Sequence, residues 1–179
     1  EARAAMAKNW IAENGVLTGA ADGGTIGSAK NYENFELILD WKTEGEAAMG
    51  IRSIPQIALG GKNSGALTGN MLHDNAAPKA AANGPQEWNT MQVKVVSDRV
   101  TVVLNGVTTA ENVILENACN REIPAYAEGQ ILLIAGNAPL NVREMYIREL
   151  PATPRFELSE EEAADGFEVL FDGTSMHKW

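Results

Sequence analysis

The chain has 179 residues, 45% of them hydrophobic and 21% charged, and its mean hydropathy is -0.18; this composition fits a globular domain with a full core and excludes wholesale disorder. No apolar run approaches the ~20 residues that a membrane-spanning helix requires. The net charge of -10 excludes a nucleic-acid backbone as partner, because neutralising phosphates takes a basic stripe that is absent here.

In chain order, EARAAMAKNW has no apolar h-region of a signal peptide and does not begin with Met, so the chain reads as a processed or excised piece. Ala2 to Trp10 is predicted as a brief helix. Strands follow at Gly15 to Leu17 and Thr25 to Ser28. In NFELILDWK, Phe35, Leu37, Leu39 and Trp41 fall on one side of a pleat and Glu36, Asp40 and Lys42 on the other, the period-two pattern of a half-buried strand that only Ile38 breaks. Met49 to Ile54 and Gln56 to Leu59 are the next strands. Gly60 to Glu87, rich in Gly, Ala and Asn, is read as a long loop, a feature that often forms one wall of a site.

MQVKVVSDRVTVVLNGV reads as two strands joined at Ser97-Asp98-Arg99, with Asn105-Gly106 as a second tight turn, since that pair tolerates the positive φ of a type I′ hairpin. Cys119 is the sole cysteine, which rules out an intrachain disulfide and a CxxC site; with no histidine near it in sequence it reads as a small buried or half-buried thiol. Strands at Gln130 to Ala135 and Val142 to Leu150 complete the pattern. Pro151 to Glu161 is a boundary, because Pro151 and Pro154 have no amide hydrogen to give a ladder. In LSEEEAADG, Ser159 and Glu162 have capping-box spacing and Gly166 ends the helix. The last run is GFEVLFDGTSMHKW. Short strands with glycine-rich turns point to an all-β, two-sheet antiparallel sandwich or jelly roll, with a short helix near the C-terminus.

The order of W-I-A-E-N-G-V-L, G-G-T-I-G-S, Y-x-N-F-E-L-x-L-D-W-K, G-I-R, P-Q-I-A-L, S-G-A-L-T-G, E-W-N-T, V-x-V-V-L-N-G-V and V-R-E-M-Y-I-R-E-L resembles the 3-keto-disaccharide hydrolase family from about Trp10 to Leu150. The resemblance implies a concanavalin-like (lectin-like) jelly roll whose concave face handles sugars, activity on 3-keto glycosides, and an exported location in bacteria. The family's usual opening strand, G-F/W-x-x-L-F-[DN]-G followed by a turn and a Trp, here closes the chain. The expected organisation is therefore a sandwich over 1–150, a linker with a short helix over 151–165, and an opening-strand motif over 166–179. That motif either begins a second repeat or completes a sandwich, its own or a neighbour's, so self-association through it is a partner expectation beside carbohydrate.

A ketone at C3 of a sugar acidifies the C2 proton, so the glycosidic bond can break by proton abstraction and elimination; this takes a base, a donor or Lewis acid at the ketone oxygen, and an acid for the leaving oxygen. By resemblance Arg52 and Gln56 match positions that face the sugar. Asp40 lies on the polar face of the preceding strand, and His73 sits in the long loop beside Asp74. These four are the substrate-binding candidates. Each also has a plain structural reading: an ion pair for Arg52, a hydrogen-bonded strand residue for Gln56, a solvated strand face for Asp40 and an exposed loop side chain for His73. Trp10, Trp41 and Trp88 are expected in the core, and His177 belongs to the terminal turn. Where many relatives carry a Glu two residues before the central Gln and a Q-D-H-G-like run near the last strand, this chain has Ile54-Pro55-Gln56 and Ile134-Ala135-Gly136-Asn137. No cofactor is evident from the residues, and a divalent metal is implied by the family alone. Two functions follow: cleavage of 3-keto glycosides, or a non-catalytic sugar-binding or structural repeat.

Overall fold

The computed structural model describes residues 9–68, 81–117, 120 and 125–171. Among these the strands are β1 (Trp10–Glu13), β2 (Val16–Gly19), β3 (Gly24–Gly27), β4 (Phe35–Lys42), β5 (Ala47–Gly50), β6 (Gln56–Leu59), β7 (Leu67–Thr68), β8 (Asn89–Val96), β9 (Arg99–Leu104), β10 (Val107–Ile114), β11 (Leu132–Ala135) and β12 (Leu140–Glu149). One sheet has seven strands in the order β1-β2-β12-β4-β8-β9-β10, the other five in the order β3-β11-β5-β6-β7. Every pairing within them is antiparallel.

Strict alternation builds the large sheet. Phe35, Leu37, Leu39 and Trp41 of β4, Met91, Val93 and Val95 of β8, and Val100, Val102 and Leu104 of β9 are buried, while the residues between them face outward. The small sheet supplies Met49, Ile57, Leu59, Leu133 and Ala135 to the same hydrophobic cluster. Two Asn-Gly pairs make the tight turns: Asn105-Gly106 between β9 and β10, at φ 50° and 82°, and Asn14-Gly15 between β1 and β2, at φ 51° and 75°. Both have the left-handed geometry of a two-residue hairpin loop.

Several expected elements are corrected. Trp10 opens β1 instead of ending a helix; the rest of that expected helix, apart from Asn9, lies outside the described residues. The strand expected at Met49 to Ile54 ends at Gly50, because Arg52 and Ser53 take positive φ of 50° and 73° before the cis Ile54–Pro55 bond. The loop from Gly60 to Glu87 contributes β7, a two-residue edge strand. The short helix α1 (Glu160–Ala164) has the expected capping box: Ser159 accepts from the Glu162 amide and Glu162 reaches back to the Ser159 amide. Gly166 to Phe171 pairs with neither sheet, and Phe167, Leu170 and Phe171 are exposed. Both sides of β12 are taken, by β2 and β4.

The Arg52 side chain fastens one end of the sandwich. It is 2% exposed, and its guanidinium donates to the Glu33 carbonyl through Nε at 2.7 Å and again through Nη2, to the Ser97 carbonyl at 2.5 Å, and to Asn34 Oδ1 at 3.2 Å. Asn34, itself buried, accepts from the Ser97 amide at 2.8 Å and donates to the Pro151 carbonyl at 2.7 Å and to Thr153 Oγ1 at 3.0 Å. Burial pushes the Arg52 pKa down to about 10, with Glu33 and Asp98 acting in the opposite direction, so it stays charged at neutral pH. Gly129 packs against its backbone: a Cβ there would fall 2.5 Å from the Arg52 carbonyl carbon.

Arg52→Met leaves buried carbonyls without donors, and a loss of about 3–5 kcal/mol is expected in urea unfolding. Arg52→Lys recovers only part of it, because one ammonium cannot span the fork of acceptors. A loss below about 1 kcal/mol for the methionine variant would show that the network is dispensable.

Candidate functional site

The outward face of the large sheet is arranged in rows set by register. In the row of Ile38, β4 pairs with Tyr146 of β12 and Gln92 of β8; in the next, Asp40 pairs with Arg143 and Thr90; in the next, Lys42 pairs with Asn141. A further row holds Glu36 with Arg148 and Lys94. Its carboxyl is held below the usual range, chiefly by the hydrogen bond from Arg148 and then by Lys94, 3.4 Å away.

A β-bulge gives the face its exposed aromatic. Between Arg143 and Tyr146 the register of β12 shifts against β4, with Glu144 at a positive φ of 48°. Two residues of β12 thus oppose one of β4, and both Arg143 and Tyr146 point outward. Tyr146 is 61% exposed and Ile38 beside it 43%. The Tyr146 hydroxyl donates to the Glu144 carboxylate, which raises its pKa and keeps it a neutral phenol.

Asp40 occupies the centre. Thr90 Oγ1 donates to its Oδ1 at 2.6 Å and Arg143 Nε to its Oδ2 at 3.2 Å. A carboxylate accepts about four hydrogen bonds and a guanidinium donates five, so both groups keep unused capacity toward solvent. The Arg143 guanidinium carbon lies 4.0 Å from the centroid of the Trp88 ring and Lys42 Nζ 4.9 Å from it, both within cation–π range. Beyond them opens a cleft of ≈ 240 Å³ lined by Lys42, Thr43, Glu44, Gln86, Pro139 and Asn141, where Gln86 donates to the Glu44 carboxylate.

Trp88 was expected in the core but is half-buried. Strand parity is the reason: Asn89, Met91, Val93 and Val95 point inward, which puts residue 88 on the outward side. Asn89 takes the buried position, accepting from the Asn83 amide and the Asn105 amide group.

The four sequence candidates are not brought together. Asp40 is on the outer face of the large sheet. Gln56 is at the start of β6, half-buried and outward on the small sheet, with Gly50 and Thr68 opposite it. Arg52 is buried at the end of the sandwich with its donors on carbonyls, in the place of a structural cation. His73 lies outside the described residues, as do Asp74, Cys119 and His177. Around Gln56 the outward positions of β5, β6 and β11 hold Ala48, Gly50, Ala58, Leu132 and Ile134, none of them titratable. Among the described residues no group of three or more His, Cys, Asp or Glu is placed to hold a metal ion, so the divalent metal implied by the resemblance finds no fitting ligand set there.

A sequence model described as the 3-keto-alpha-glucoside-1,2-lyase-like domain matches residues 2–148. The chain belongs to that family. Among solved structures it is similar to two candidate glycosyl hydrolases from Parabacteroides distasonis ATCC 8503, at 24% identity with a TM-score of 0.64 over 80% of this chain and 91% of the other, and at 18% identity with a TM-score of 0.63 over 80% and 84%. It is also similar to the carbohydrate binding module CBM66 from Bacillus subtilis, at 15% identity and a TM-score of 0.60 over 78% and 91%. No curated protein matches. At these identities the likeness establishes the fold, a jelly-roll sandwich of the kind the family resemblance implies. Within the 3-keto-alpha-glucoside-1,2-lyase-like family, this chain places its polar and aromatic cluster on the large sheet and leaves the Gln56 face nearly apolar.

Arg143, Tyr146, Thr90 and Lys42 were missed as site residues. The signal for two of them was present in V-R-E-M-Y-I-R-E-L, where period two breaks between Arg143 and Tyr146. Because the Asp40–Arg143 pair is partly open, with side-chain exposures of 18% and 39%, Arg143→Met is expected to cost only about 1 kcal/mol in urea unfolding. A loss as large as that of the Arg52 variant would mean the pair is structural and not open to a ligand.

Proposed function

We propose that this chain is a carbohydrate-binding jelly-roll domain that takes glycans on the outer face of its large sheet, with no glycosidic cleavage at this copy. The observation that carries the reading is Asp40, held between Thr90 and Arg143 with hydrogen-bonding capacity to spare, flanked by the exposed Tyr146 ring and the cleft beside Lys42. Sugars present alternating hydroxyl groups and apolar ring faces, and a carboxylate, a guanidinium and an aromatic ring on one open face match both. Membership of a family described by 3-keto-glucoside lyase chemistry and the likeness to a carbohydrate binding module support the same ligand class.

Cleavage of 3-keto glycosides is the second reading, favoured by the family match over residues 2–148. It needs a base and an acid near the sugar. The Gln56 face offers neither among the described residues. On the large sheet Asp40 is already bound to Thr90 and Arg143, which makes it a positioning acceptor for a hydroxyl.

Two measurements test these readings. Tyr146→Ala should weaken glycan binding by about tenfold (~1.4 kcal/mol) in calorimetric titration while leaving the melting temperature unchanged, since Tyr146 is mostly exposed; equal affinity would remove the large-sheet face from the reading. Incubation with 3-keto glucosides, with and without divalent cations, should yield no product. Turnover that survives purification and falls in a Gln56→Ala variant would restore the enzyme reading and place the chemistry on the small sheet.

A further inference from the structure

Resting on the carbohydrate reading, we infer that the ligand is an oligosaccharide chain of at least three units lying along β4, and not a mono- or disaccharide. The large-sheet face carries two separated anchoring zones with a hydrogen-bonding row between them. At one end Tyr146 and Ile38 form an exposed apolar step, 61% and 43% open to solvent. At the other, Lys42, Glu44, Gln86 and Asn141 line the cleft. Ile38 and Lys42 are four residues apart on one strand, which at ~3.3 Å per residue is ~13 Å. One pyranose ring cannot touch both zones.

The middle row is suited to the unit that bridges them. Asp40 and Arg143 sit opposite each other in register, an acceptor and a donor on adjacent strands, so a sugar crossing there meets both kinds of partner at once. The outward residues beside Asp40 are Thr90 and Arg143, both already drawn onto its carboxylate. An enclosing site for a single sugar needs walls on several sides. This face has a wall at the Lys42 end only, where Trp88 stands against Lys42 and Arg143, and is open in the direction of Tyr146. Such an arrangement favours a chain end or chain interior laid on the sheet.

Lys42 supplies the far anchor in a form that a ligand can use. Its ammonium lies over the Trp88 ring, a contact that fixes its position while leaving its three donors available. Each zone contributes affinity only to a ligand long enough to reach it. Binding should therefore climb with chain length and then level off once both zones are filled, the behaviour of linked binding elements sharing one ligand.

The test is calorimetric titration of the full chain with glucose and with β-1,4- and α-1,4-linked gluco-oligosaccharides of two to six units. For at least one linkage, affinity is expected to rise by about tenfold or more between two and four units and to change little beyond that. Tyr146→Ala and Lys42→Ala should each bring the four-unit ligand down toward the affinity of the two-unit ligand, while barely altering the weaker of the two short-ligand affinities. A disaccharide that binds as tightly as the tetrasaccharide overturns the inference and leaves the carbohydrate reading standing, as does a length dependence that both variants leave intact. Absence of binding to every member of both series counts against the carbohydrate reading itself, and the inference falls with it.

Discussion

Everything at one end of this sandwich converges on a single buried cation. Arg52 is held in a left-handed backbone conformation that costs a non-glycine residue about 1–3 kcal/mol, and it is desolvated, yet its guanidinium reaches carbonyls on the β3–β4 connection and the β8–β9 turn, and a third, more distant, at Tyr126 (3.4 Å). Asn34 extends that grip to the segment after β12. Loops that share no sequence neighbourhood thus have one charge in common, and the carbonyls that would otherwise be buried without donors define where each loop must stop. The strand alternation of β4 and β8 begins or ends next to this knot. Their phase, and with it the face on which Asp40 and Thr90 emerge, is set from there.

Two sheets give two outer faces, and they differ in chemistry. The small sheet shows alanine, glycine, leucine and isoleucine around Gln56, a surface with little to offer a proton or an ion. The large sheet shows ion pairs, an amide, a hydroxyl and two aromatic rings. The family resemblance directs attention to the first face, where it implies a sugar-facing role for Gln56.

The framework was largely legible before any coordinates. Period two in NFELILDWK located β4 and assigned its buried and outward residues, and Ile38, the one breach of the pattern, is an outward residue that remains exposed beside Tyr146. Asn105-Gly106 marked a hairpin, and the same logic applied to Asn14-Gly15 would have marked the β1–β2 pair. The capping box at Ser159 and Glu162 was readable because its partners are three residues apart. What could not be read were meetings of residues far apart in the chain. Asp40 and Arg143 come together only through the register of β4 with β12, and Arg52 looked like a strand residue because nothing local announces a turn there except Pro55. Trp88 was misplaced for a subtler reason: an aromatic at the head of a strand suggests core, and only the phase of the following residues reveals that Asn89 takes that position.

The bulge in β12 sets which residues this surface presents. A strand is a two-letter alphabet of inward and outward positions, and one supernumerary residue exchanges the letters for everything beyond it. Upstream of Glu144 the outward residues are Asn141 and Arg143; downstream they are Tyr146 and Arg148, of opposite parity. Were the same residues to run on in strict alternation without the bulge, the phenol would turn toward the core and Ile147 toward the surface, whereas deleting one residue at Glu144 or Met145 would straighten the strand and keep Tyr146 opposite Ile38. One extra residue in β12 therefore decides which side chains this half of the sheet presents to solvent, while the hydrophobic layer beneath is held in place by β4 and β8.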